Sequence, residues 1–134
     1  MDTKDRCTIV YADDAMIHHV LMRAMAQSHL LDLVYCASNG RELIDYLHEN
    51  EHELPEICIL DLHMPVLNGI ETAKIVKERF PSIRIFGLTS SSDENERMEL
   101  RDAGAEEIFF ERTDAFINET TCAQPIERIN KEEA

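Results

Sequence analysis

The chain has 134 residues, the size of one ordinary domain, and carries 27 Asp plus Glu against 13 Lys plus Arg, a formal net charge of −14. So acidic a surface argues against nucleic-acid binding by this chain alone, since phosphate contacts draw on Lys and Arg, and it disfavours an anionic membrane for the same reason. A cation or a basic protein surface suits the charge better.

Strand-like and helix-like patterns alternate along the chain. The charged start, Met1-Asp2-Thr3-Lys4-Asp5-Arg6, has no apolar signal core and leads into a strand over Cys7 to Tyr11. A helix follows from Ala15 to Ser28, with Ile17, Val20, Leu21, Ala24 and Met25 at helical spacing on the expected inner face. Met16, Met22 and Met25 read as packing, and His18 and His19 as surface and edge residues. A second strand covers Leu33 to Ala37, and Asn39 with Glu42 has the form of a capping box for a helix whose inner face is Leu43, Ile44 and Leu47.

The third strand, Ile57 to Leu60, is a continuous apolar run of the kind that burial on both faces requires. A helix from Asn68 to Arg79, closed by Pro81, leads to a fourth strand over Ile83 to Leu88. Ser92 or Asp93 can cap the next helix, where Met98 and Leu100 compete for burial, and Gly104 can end it before a fifth strand at Glu107 to Phe110. Asp114 to Thr121 and Gln124 to Glu133 are expected as irregular helical pieces. Cys7, Cys36, Cys58 and Cys122 form no CxxC pair, and no segment reaches transmembrane length, so the expectation is a cytoplasmic protein with buried, reduced cysteines.

Five β–α units with short connections imply an α/β fold, a single doubly wound parallel sheet with helices on both faces. The common five-stranded order is 2-1-3-4-5, and ligands bind at the carboxyl ends of strands one and three. Asp13 and Asp14 end the first strand and Asp61 ends the third, so three carboxylates converge there. Like charges at that range resist joint ionisation, and a divalent metal would relieve them. As a bland alternative, Asp13 and Asp14 could simply favour the start of the first helix.

These segments resemble the receiver domain of bacterial two-component response regulators. The likeness rests on Tyr11-Ala12-Asp13-Asp14, on Leu60 to Gly69 around Asp61, on Leu88-Thr89-Ser90 and on Ala103-Gly104-Ala105. It runs to about Arg112, and the flavour of the first helix and second strand is that of the LuxR-type DNA-binding regulators. The resemblance implies a flavodoxin-like fold across residues 1–134, with 113–134 atypical. It implies Asp61 as phosphoacceptor, Thr89 as phosphoryl sensor, and Mg²⁺ held by Asp13, Asp14, Asp61 and the backbone carbonyl of His63. The donor would be a histidine kinase or phosphotransfer protein and the output a downstream protein partner. Such a domain catalyses its own phosphorylation and dephosphorylation without turning over an independent substrate.

The chain departs from the family at the end of strand five. Glu111 stands where the family has Lys, and Arg112 is the candidate to replace that cation, though Arg is a longer planar donor. Ile108 takes the place of the family's switch aromatic, with Phe109 on the opposite face by alternation. These departures leave open a phosphorylation-independent pseudo-receiver that binds its partner regardless of Asp61. A metal-dependent phosphohydrolase is a third reading, weakened because His63 stands where such enzymes carry a second Asp.

Overall fold

The computed structural model describes residues 7–28, 31–90 and 92–110. In chain order these form β1 (Cys7–Ala12), α1 (Met16–Ser28), β2 (Leu31–Ala37), α2 (Gly40–Glu49), β3 (Ile57–Asp61), α3 (Gly69–Arg79), β4 (Arg84–Thr89), α4 (Glu94–Asp102) and β5 (Ala105–Phe110). All strands pair in parallel in the order β2-β1-β3-β4-β5, the flavodoxin-like arrangement expected. Glu111, Arg112 and the tail segments lie outside the described residues.

The central strands are apolar because both faces are covered. Val10, Ala12, Cys58, Leu60 and Ile85 face a core completed by Leu43, Ile44 and Leu47 of α2, Ala73 and Val76 of α3, and Leu100 of α4. Ile9, Tyr11, Ile57, Ile59, Phe86 and Leu88 face the other core with Met22 and Ala26 of α1. Leu100 is the buried residue of α4, seated over Gly87, where a Cβ would lie 2.6 Å from its Cδ2; Met98 is exposed.

Several local expectations are corrected. The inner face of α1 is His19, Met22 and Ala26, whereas Ile17 and Val20 are 62% and 56% exposed and Leu21 and Ala24 also face outward. Met16 is exposed, Met22 buried and Met25 half-buried, so packing holds for the latter two alone. At α2, Asn39 accepts from the Glu42 N–H at 2.9 Å, but Glu42 reaches the Ser38 N–H instead of that of Asn39. The reciprocal capping box belongs to α3, between Asn68 and Glu71. Asp93 caps α4. Cys36 and Cys58 are free, but Cys7 is disulfide-bonded, against the expectation of reduced thiols throughout.

Candidate functional site

Strand register builds the site. Ala12 pairs with Leu60 and Asp61 with Leu88, so Asp13, Asp61 and Thr89 leave neighbouring strands at one edge of the sheet. One ligand oxygen from each of Asp13, Asp14 and Asp61 lies within 4.8 Å of the others. Asp13 is buried, Asp61 half-buried and Asp14 exposed. A pocket opens over them, lined by Asp13, Asp61 and Thr89 together with His18, Leu21, Leu88 and Ser90.

The carboxylates are out of electrostatic balance. Burial, with the charges of Asp13 and Asp14 in support, pushes the Asp61 carboxyl up to about 7, while the Leu62 N–H and His18 pull in the other direction. The Asp61 carboxyl, raised in this way beside two further oxygen donors, suits a hard divalent cation, whose charge would favour its ionised form. The donor set therefore fits the expected Mg²⁺: Asp13, Asp14 and Asp61 bring carboxylate oxygens together, and the His63 carbonyl lies in the loop that leaves β3.

Asp13 is held more elaborately than the sequence reading foresaw. Its Oδ2 accepts from the Tyr11 hydroxyl and from His18 Nδ1 at 2.7 Å, and its Oδ1 accepts from the Ala15 N–H at 2.8 Å. His19 Nε2 donates to the Asp13 carbonyl at 2.7 Å and sits edge-on to the Tyr11 ring. His18 and His19 are thus half-buried and buried site residues, a correction to their reading as surface and edge positions. The missed signal was helical phase: with His19, Met22 and Ala26 turned inward, His18 falls beside the end of β1.

The β3–α3 loop is tightly wound. The Leu67 N–H donates to the Pro65 carbonyl at 2.7 Å across Val66, which has φ 69, a γ-turn of the rarer hand. The Gly69 N–H donates to the Leu62 carbonyl at 2.9 Å, and a Cβ at Gly69 would lie 2.4 Å from the Asp61 carbonyl oxygen. Only glycine admits α3 so close to the Asp61 backbone. The His63 side chain pairs through Nε2 with Glu96 of α4 at 3.3 Å. On β5, Ile108 is buried toward Leu100 and Phe109 packs on Phe86 across the sheet, as alternation required.

Comparison with known proteins agrees with this geometry. Residues 9–115 match the family described as response regulator receiver domain. The chain is 30% identical over 129 residues to the response regulator protein VraR of Staphylococcus saprophyticus, covering 92% of this chain and 54% of that protein. It is 31% identical over 85 residues to the transcriptional regulatory protein LnrK of Bacillus subtilis, covering 63% of this chain and 37% of that protein. The chain thus spans about half or less of these relatives' lengths. Among solved structures, a chain of the CheX–CheY–BeF3–Mg²⁺ complex of Borrelia burgdorferi superposes with a TM-score of 0.77 at 18% identity over 87% of each chain. The chain belongs to the response regulator receiver domain family of two-component signalling.

Proposed function

We propose that Asp61 is the phosphoacceptor of this receiver, taking a phosphoryl group from the phosphohistidine of a histidine kinase or phosphotransfer protein. The observation that carries the reading is the close approach of the Asp13, Asp14 and Asp61 carboxylates beside the pocket that Asp13 and Asp61 line, with the Asp61 carboxyl at about 7. An Asp61 oxygen attacks phosphorus, the bond to the donor imidazole breaks, and an acyl phosphate remains on Asp61. Mg²⁺, when held by Asp14, Asp61 and the His63 carbonyl with Asp13 in support, supplies the positive charge that offsets the acids and the transferring group. Mg²⁺ accompanies the phosphomimetic BeF3 in the Borrelia CheX–CheY complex, in keeping with that role.

Thr89, buried on the pocket wall, is the hydroxyl that turns to a phosphoryl oxygen and carries the change to β4 and α4. Leu21 lines the pocket while Ile17 and Val20 extend an exposed apolar surface along α1, which supports docking of the donor protein there. Arg112 enters from the sequence alone, as the cation that would pair with phosphate, and Arg112→Ala tests it separately. Signalling proceeds through a downstream protein partner.

Intact-mass spectrometry after incubation with Mg²⁺ and acetyl phosphate tests the reading, with Asp61→Asn as control. Gain of one phosphoryl group in the wild type alone is expected. No gain while Mg²⁺ binding is intact, or equal gain in the variant, refutes Asp61 as acceptor.

A further inference from the structure

We infer that His18 is an internal rival of the divalent ion for Asp13 and thereby sets how tightly this pocket holds the ion. The inference rests on the reading that the pocket takes a divalent cation. An ionised carboxylate offers about four lone-pair positions. At least three are already taken on Asp13 by described residues: Tyr11 and His18 both occupy Oδ2, and the Ala15 N–H occupies Oδ1. Asp13 is also 1% exposed, and the His19 bond to its carbonyl pins the backbone behind it. A cation that binds Asp13 directly must therefore displace a donor or settle for the little capacity left.

These three donors differ in how readily they can leave. The Ala15 N–H is main chain at the start of α1, and Tyr11 is fully buried. His18 is half-exposed and its ring lines the pocket that Asp61 also lines. Its Nε2 has no hydrogen-bond partner among the described residues, so the ring is held by the Asp13 bond at one end alone. His18 stands outside the compact three-carboxylate group and touches it through Asp13. It acts on the ion indirectly, as a positioning residue. With His18 in place, Asp14 and Asp61 are the ion's direct carboxylates and Asp13 works through water; without it, Asp13 can enter the coordination shell.

Mn²⁺ is a suitable probe, because it shares the oxygen-ligand preference of Mg²⁺ and reports its bound waters through proton relaxation. His18→Ala should bind Mn²⁺ and Mg²⁺ about tenfold more tightly, the equivalent of one hydrogen bond to a charged group. The same variant should lose one Mn²⁺-bound water as the Asp13 oxygen replaces it. His18→Gln, whose amide N–H can still donate to Asp13, should return toward wild-type affinity and water count. Tyr11→Phe, which removes the other donor on Oδ2, should shift both in the His18→Ala direction. Affinity and water count unchanged in His18→Ala, or weaker binding, overturn the role of His18. If wild-type Mn²⁺ binding depends on Asp61 under those conditions, the pocket reading survives that failure. If binding in both backgrounds is indifferent to Asp61→Asn, the pocket reading falls and this inference falls with it.

Discussion

Asp61 shows how one residue carries a cost that its ligand removes. Its folded-state carboxyl titrates near 7, above the ordinary 3.8, because burial and the Asp13 and Asp14 charges oppose ionisation. The folded state then binds more protons than the unfolded chain between about pH 4 and pH 7, so stability falls as pH rises through that window. Asp61→Asn, which resembles the protonated acid, should therefore be about 1–2 kcal/mol more stable than wild type at pH 8 in chelator, after discounting for partial solvent access. The gain should fade toward pH 4.5 in paired urea titrations; an equal gain at both pH values would contradict the cause assigned. Val66 stores strain of another kind, a β-branched residue at φ 69 that is 75% exposed and buries little in return. Relief of left-handed strain exceeds the added unfolded-state entropy of glycine, so Val66→Gly should stabilise by about 1 kcal/mol. A lower denaturation midpoint in that variant would place the strain elsewhere.

Among the elements, α1 separates what the sequence reading could and could not reach. β3 was legible because Ile57 to Leu60 is apolar without a break, which on a parallel sheet means cover on both faces. α1 has apolar residues on both sides, Met16, Ile17, Val20 and Leu21 on one and Met22, Met25 and Ala26 on the other, so apolar periodicity alone favours the richer, outer face. The deciding interaction was polar: His19 turns inward to donate to the Asp13 carbonyl, and that fixes the phase. Met22→Ala should consequently cost about 2–4 kcal/mol through the cavity it leaves. Ile17→Ala and Val20→Ala should stay within about 0.5 kcal/mol, as exposed substitutions do. Thermal melts of the three variants decide it, and a large loss at Ile17 would restore the phase read from periodicity. Capping was misplaced by similar logic, since Asn39 and Asn68 both precede a Glu by three, and only the α3 pair closes reciprocally.

At the scale of the whole molecule, the three carboxylates were legible because a parallel sheet in this order leaves its switch point beside β1 and β3, where Asp13, Asp14 and Asp61 stand. The Asp13–His18 contact was not, since it depends on helix phase and side-chain direction that no linear pattern encodes. A net charge of −14 complicates any test of the ion site, because salt of any kind relieves general repulsion in so acidic a chain. Specific binding adds a separate contribution that grows with ion concentration relative to the dissociation constant, about 2.7 kcal/mol at a hundredfold excess. Mg²⁺ should therefore raise the melting temperature above that in NaCl of equal ionic strength, and chelator should reverse the rise. Asp61→Asn should keep the general salt effect and lose most of the excess. Protons on Asp61 compete with the ion below about pH 7, so the wild-type excess should be larger at pH 8 than at pH 6. An excess that survives Asp61→Asn unchanged would move the ion to the diffuse acidic surface, and the raised carboxyl would then need another partner.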